Sequence, residues 1–340
     1  MATNERRRNS PLSDGPSTRP NVWHGVSNQG PSLAQRGRIL RVSGQHALAR
    51  VGDDDLRCEL RGRLKAGRRA STSPVVAGDW VEVSQAGEGK MVIETVLPRT
   101  SRIARVASGP RPFDQILAAN VDHFVVVVAA RQPALSTGFI DRALVMAISG
   151  EIRPLICINK IDLDPYRSSQ PVIELYRQLG YEVITSSVKT EEGIDDLERI
   201  LRSGVCALVG PSGVGKSSLL NHVQPGLRLA TQELMRQHDR GRHTTTAVQL
   251  HPLMGGGFVV DTPGLKQLQP SGIEAHELIE CFPELLAADP QSCQFRNCTH
   301  VHEPGCQIRQ AVDEGKIAAS RYEGFVRIVE TLQGERQESS

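Results

Sequence analysis

One stretch of the sequence, Gly210-Pro211-Ser212-Gly213-Val214-Gly215-Lys216-Ser217, sets glycines, a lysine and a hydroxyl at the spacing of a loop that wraps phosphate. The glycines let backbone N–H groups turn inward around phosphate oxygens. Lys216 reaches the β- and γ-phosphates, and Ser217 offers its hydroxyl to Mg²⁺. A plain glycine-rich turn needs neither that lysine nor the flanks seen here, the β-branched run Val205-Cys-Ala-Leu-Val209 and the helix-forming Ser218-Leu-Leu-Asn221.

Phosphate binding does not choose a base, but Asn159-Lys160-Ile161-Asp162 can. A carboxylate accepts two hydrogen bonds from the adjacent N1–H and 2-amino donors of guanine, a pair that adenine does not present. Asp162 is therefore expected to carry specificity. Asn159 holds neighbouring backbone and contacts the purine, and the stem of Lys160 covers the ring. Ser186, Ser187 and Val188, after a strand over 182–185, are placed to support the base through backbone N–H groups.

Two further loops have the composition of γ-phosphate sensors. In Asp261-Thr-Pro-Gly264, Asp261 can hold Mg²⁺ through water and the Gly264 N–H can meet the γ-phosphate. In Gly241-Arg-His-Thr-Thr-Thr246, one of Thr244, Thr245 and Thr246, with Thr245 the working choice, completes Mg²⁺ coordination. Both loops are expected to order around the γ-phosphate and relax when it leaves. Leu265 stands where many GTPases place the glutamine that orients the attacking water. Slow intrinsic hydrolysis is expected, with His243 or a partner-supplied group positioning that water.

Cys293-x4-Cys298-x-His300-x5-Cys306 supplies three thiolates and an imidazole, a closed tetrahedral set suited to one structural Zn²⁺. His302 is a competing ligand and the second choice. The other cysteines, 58, 157, 206 and 281, lie singly in apolar contexts and read as core residues. An odd total of seven, behind an N-terminus with no apolar export segment, argues against a disulfide framework.

These residues need a scaffold, and the 340-residue chain is long enough for several domains. Residues 1–34 are rich in Pro, Ser, Asn, Gly and Arg and read as a disordered basic arm. Short alternating runs from Arg36 to about Arg105 read as a small all-β barrel with a basic loop, Arg61–Arg69. From Val121 apolar strands alternate with amphipathic helices, the pattern of a parallel sheet with helical crossovers, and a helical tail follows Gly264. Residues 1–113 hold 19 Lys and Arg against 10 Asp and Glu, whereas the remainder holds 21 against 28. A basic end on an acidic body suits docking onto a polyanion. No apolar run approaches the roughly 20 residues of a spanning helix, so a soluble, cytoplasmic protein with no membrane partner is expected.

The motif order, 159–162 before 210–217, reverses that of an ordinary GTPase, and a circularly permuted chain would preserve the same sheet. Together with Ala118-Ala-Asn-Val-Asp122, the barrel and the cysteine tail, this order resembles the bacterial small-ribosomal-subunit-dependent GTPase family RsgA, also called YjeQ, over about residues 35–335. The resemblance implies an OB-fold RNA-binding barrel (35–112), an α/β circularly permuted P-loop GTPase domain (113–269) and a small α-helical zinc-binding domain (270–335) before a tail (336–340). It implies GTP ligands over Asn159–Asp162 and Gly210–Ser218, which adds Ser218, and zinc ligands Cys293, Cys298, His300 and Cys306. It further implies a monomer that hydrolyses GTP to GDP and phosphate in late maturation of the 30S subunit, stimulated by that subunit and touching 16S rRNA. Ser187-Val188 departs from the commoner Ser-Ala pair. A rival reading is an RNA-binding GTP switch not dedicated to ribosome assembly.

Overall fold

The computed structural model describes residues 34–62, 74–107, 113–227, 248–261 and 273–338. Residues 1–33 of the expected arm, most of the basic loop, the stretch with His243, Thr244, Thr245 and Thr246, and Thr262, Pro263, Gly264 and Leu265 lie outside them.

Strands β1 (Gln35–Ser43), β2 (His46–Val51), β3 (Asp54–Leu60), β4 (Trp80–Ala86) and β5 (Lys90–Val96) follow the period-2 pattern. Val81 and Val83 are fully buried while Glu82 between them is not, as a pleated wall with one apolar face requires. The ladder runs β1-β2-β3-β5-β4 and returns to β1, closing a five-stranded barrel around Ile39, Ala47, Ala49, Cys58, Val81, Val83 and Ile93. Closure removes the open edges that would otherwise template aggregation.

Two strands absent from the sequence reading follow, β6 (Arg102–Ala107) and β7 (Phe113–Ala119), paired antiparallel. Their ladder lies across the 112/113 join, because Gly109-Pro110-Arg111-Pro112 reads as a break when its neighbours are unpaired.

Strands β8 (His123–Ala129), β9 (Arg153–Asn159), β10 (Glu182–Ser186), β11 (Val205–Val209), β12 (Gln249–Pro252) and β13 (Phe258–Asp261) form the central sheet in the order β10-β9-β8-β11-β13-β12. All run parallel except β12, which is antiparallel to β13. Helices α1 (Thr137–Ser149) and α2 (Gln170–Gln178) cover one face, against Phe124, Val126, Val128 and Ile156. Helices α3 (Ile194–Ser203) and α4 (Lys216–Val223) cover the other, against Val125, Val127, Cys157 and Val259. Burial on both faces explains why the cores of β8, β9 and β11 are apolar at consecutive positions rather than at alternate ones.

The barrel joins the sheet at its edge, where Arg41 of β1 pairs with Gln249 of β12. Arg38 secures the junction: it donates to the Asn120 carbonyl at 2.8 Å and stacks over Trp80 and Phe258, 4.6 and 5.6 Å from their centroids. The C-terminal unit comprises a 3₁₀ turn over Leu278–Cys281, α5 (Pro283–Leu286), α6 (Gln307–Asp313) and α7 (Ala319–Glu338), which runs on past residue 335. Its core of Phe282, Leu285, Ile308, Phe325 and Ile328 also takes in Val145 of α1. Among the described residues no helix is long and apolar enough to cross a membrane.

Gly78 has φ +91°, and a Cβ there would lie 2.0 Å from the Ala119 carbonyl. Gly78→Ala is therefore expected to destabilise the barrel junction by about 3 kcal/mol, the upper end of ordinary substitutions; urea unfolding against the parent chain measures it.

Candidate functional site

Helices after β8 and β11, neighbours in the sheet, pass to opposite faces, which opens a crevice at the carboxyl ends of the strands. The phosphate loop leaves β11 into that crevice. Gly210 is obligatory because a Cβ would sit 2.2 Å from the Val127 carbonyl, and Gly215, at φ +101°, would drive a Cβ to 2.3 Å from Asn159 Nδ2. Lys216 Nζ donates to the carbonyls of Gly210 (2.6 Å) and Pro211 (2.9 Å), and burial lowers its pKa. A phosphate, carrying full negative charge, outcompetes two neutral carbonyls for that ammonium. Ser217 and Ser218 lie exposed on the first turn of α4.

The guanine-type motif is built at the ends of β9 and β10, where Asn159 and Ser186 are paired. Asn159, only 2% exposed, donates through Nδ2 to the Val214 carbonyl (2.8 Å) and accepts at Oδ1 from Ser186 Oγ (3.1 Å). The second contact fixes the amide's orientation, so that its donor end faces the phosphate loop. Lys160, in the left-handed region at φ +60°, donates to Gln132 O (2.6 Å) and Gly213 O (2.5 Å). Ile161 opens the 3₁₀ turn Ile161–Leu163 and packs on the core. Buried Ser187 donates through Oγ to Asp162 Oδ1 at 2.7 Å, which holds the motif's carboxylate in place.

The sequence reading missed Asp164. Its carboxylate, 3% exposed, accepts from the N–H and hydroxyl of both Ser168 and Ser169 at 2.5–3.0 Å. Burial alone would raise its pKa, but these four donors hold it well below the usual carboxylate range. The signal available in the sequence was the spacing Asp-x3-Ser-Ser, an Asx-type turn closing onto a helix N-terminus.

Asp261 ends β13 opposite Gln249, with His251 Nε2 3.9 Å from its carboxylate. The structure thus brings together Asn159–Asp162, Ser186, Ser187 and Gly210–Ser218 at one end of the sheet, with Asp261 at the end of β13, the strand next to β11. Gly264, Thr245 and His243 lie outside the described residues.

Cys293, Cys298, His300 and Cys306 converge, with all donor atoms within 4.8 Å of one another. His300 Nδ1 is 3.5 Å from Cys293 Sγ and 3.6 Å from Cys306 Sγ, and those sulfurs are 4.0 Å apart. Metal–sulfur and metal–nitrogen bonds of about 2.3 and 2.0–2.1 Å in a tetrahedron imply donor separations of about 3.5–3.8 Å, so the set fits a thiophilic tetrahedral ion. Four protein donors leave no open position for catalysis. His300, not His302, is the imidazole in the set; its carbonyl accepts from Tyr322 OH (2.8 Å), and the Gln307 N–H donates to Cys293 Sγ (3.3 Å). Such outer contacts orient the ligands.

A doubly wound sheet whose phosphate loop follows, rather than precedes, the base-reading motif defines a circularly permuted P-loop GTPase, preceded by an OB-like barrel and followed by a Cys3His unit. The RsgA GTPase family model matches residues 96–271; the chain belongs to that family and is a GTP hydrolase. It is 38% identical over 313 residues to the small ribosomal subunit biogenesis GTPase RsgA of Thermotoga maritima, covering 90% of this chain and 99% of that protein. It is 36% identical over 299 residues to the protein of the same name from Bacteroides fragilis, covering 87% and 96% respectively. The crystal structure of YjeQ from Thermotoga maritima superposes with a TM-score of 0.71 at 36% identity over 89% of this chain and 99% of that one. That of YloQ, described as a circularly permuted GTPase, gives 0.67 at 28% identity over 94% and 99%.

Because the Asp164 pKa is depressed, its contribution to stability is full above the unfolded carboxylate value of about 3.9 and is lost as pH falls through the lower folded value. Asp164→Asn is expected to be less stable than the parent at pH 7, with the gap closing below about pH 4. Urea unfolding of both chains at pH 7 and pH 3 checks this, and a gap that widened in acid would contradict it.

Proposed function

We propose that this chain hydrolyses GTP to GDP and phosphate during late maturation of the 30S ribosomal subunit, stimulated by that subunit and gripping 16S rRNA. The observation that carries the reading is the Asn159 amide, which clamps the guanine motif to the phosphate loop and makes one pocket of two segments about fifty residues apart. The basic barrel on the edge strand next to the γ-phosphate side supports an RNA partner, and the relatives' names, small ribosomal subunit biogenesis GTPase, give its class.

In this reading Asp162 accepts from guanine N1–H and the 2-amino group, Lys160 covers the ring, and Ser186, Ser187 and the 210–218 loop complete the pocket. Ser217, Thr245 and Asp261 would hold Mg²⁺, which when bound neutralises charge developing between the β- and γ-phosphates. The Gly264 N–H would meet the γ-phosphate. His243 or a partner-supplied group orients the attacking water, since Leu265 stands where the water-orienting glutamine would be, so turnover without a partner is slow. The Cys3His unit holds one structural Zn²⁺ and, with the barrel, contacts rRNA as a monomer. Domain limits of 35–112, 113–269 and 270–335 remain the working division, with the β6–β7 ladder bridging the first two.

Turnover measured with purified 30S subunits, 50S subunits and free RNA tests this. At least a tenfold rise with 30S alone is expected; equal stimulation by free RNA would favour a general RNA switch. Asp162→Asn is expected to weaken GTP binding about 10- to 100-fold, the worth of hydrogen bonds to a charged group. Unchanged affinity would reject Asp162 as the base reader. Cys298→Ser should lose its equivalent of zinc, read by metal analysis, together with folding of the C-terminal unit.

A further inference from the structure

A buried charge cluster joins the C-terminal helix to the guanine side of the sheet. Arg321 of α7, 1% exposed, pairs through Nη1 with Asp141 of α1 and through Nε with Glu284 of α5 at 2.6 Å. Tyr176 of α2 donates its phenol to the same Asp141 oxygen at 2.6 Å, and the guanidinium lies 4.4 Å from the Phe282 ring centroid and 5.5 Å from that of Tyr176. A Cβ on Gly324 would fall 2.1 Å from Asp141 Oδ2, so α7 and α1 approach as closely as glycine allows.

Stability is a poor account of this cluster. Asp141 Oδ2, Glu284 Oε2 and Arg321 Nη2 are buried without a hydrogen-bond partner, and burying two carboxylates with one guanidinium carries a desolvation cost that an apolar core would avoid. Such groups are retained where they fix one arrangement of elements over others.

Among the elements fixed here are the two helices that flank the guanine motif, α1 and α2. The loop before α1 supplies Gln132, whose carbonyl takes Lys160 Nζ at 2.6 Å, and Ser136 caps α1 by accepting from Phe139 N. Helix α2 begins where the Asp164 turn that follows Asp162 ends. Asp141 thus joins both helices flanking Asn159–Asp162, and Arg321 ties that joint to α7. One residue on, Tyr322 donates to the carbonyl of the metal-cluster residue His300 at 2.8 Å.

We propose that Arg321 is a positioning residue for the guanine pocket, acting through Asp141 and Tyr176 on α1 and α2. The proposal rests on Asn159–Asp162 being that pocket. Contiguous packed and hydrogen-bonded contacts of this kind carry coupling between sites, in amounts that typically change an affinity about 5- to 150-fold. The phosphate loop continues into α4 on the opposite face of the sheet, so Arg321 acts on base affinity and leaves the phosphate chemistry alone.

The test uses the full-length chain in three variants: Arg321→Met, Arg321→Lys and, as a pocket control, Asp162→Asn. Arg321→Lys keeps the charge but replaces the planar fork with a point charge that cannot serve both carboxylates. Expected for Arg321→Lys is a five- to tenfold rise in KM for GTP and in the dissociation rate of a fluorescent GDP, with kcat within twofold of the parent. Arg321→Met should show a larger rise; should it fail to fold, the lysine variant decides. Unchanged KM in a folded Arg321→Lys, alongside weakened binding in Asp162→Asn, overturns the proposal and spares the pocket. A parallel loss of kcat and thermal stability assigns Arg321 a purely structural part and also overturns it. Unchanged binding in Asp162→Asn overturns the pocket reading itself.

Discussion

The Asn159 amide is the contact on which the proposed nucleotide site depends. Its two ends face different segments, Val214 in the phosphate loop and Ser186 at the end of β10, and burial leaves no solvent to substitute for either partner. An unmet buried amide group is expensive, so the three segments are held in one register or the site does not form. Gly215 records the same constraint from the other side, since any side chain there would occupy the amide's place. Lys160 repeats the link one residue later, through Gly213 and Gln132.

That clamp explains how a permuted chain can make an ordinary site. The pocket needs β8, β9, β10 and β11 side by side with their carboxyl ends level, and it is indifferent to which loops connect them. What permutation changes is attachment. The barrel precedes β8 in the chain yet pairs with β12 at the far edge, and the C-terminal unit follows β13 yet seats on α1, the first helix of the sheet domain. Each flanking unit thus reaches an element distant from it in sequence.

Much of this was legible in the residues. The phosphate loop, the guanine motif and the cysteine cluster announce themselves because each chemistry admits few residue types at fixed spacing, and the apolar runs of β8, β9 and β11 follow from burial on both faces. The barrel strands were equally plain, since Val81 and Val83 alternate with polar neighbours. What escaped was whatever depends on a distant partner. β12, only Gln249–Pro252, is too short and polar to show a period, and it is a strand because β13 and β1 flank it. β6 and β7 are strands through each other. Arg321 reads as one more basic residue on a polar helix, and its burial is set by Asp141, 180 positions earlier.

The two faces of the sheet therefore carry different connections. On the α3–α4 side lie the phosphate loop's helix, Asp261 and the barrel residue Arg41, because residues paired across β1, β12 and β13 project to a common face. On the α1–α2 side lie the supports of the guanine motif and, through Asp141, the C-terminal helix. The barrel also sends Leu40, Leu48 and Ala77 into the α1–α2 core, so it is joined to both faces of the sheet, whereas the C-terminal core takes in Val145 of α1.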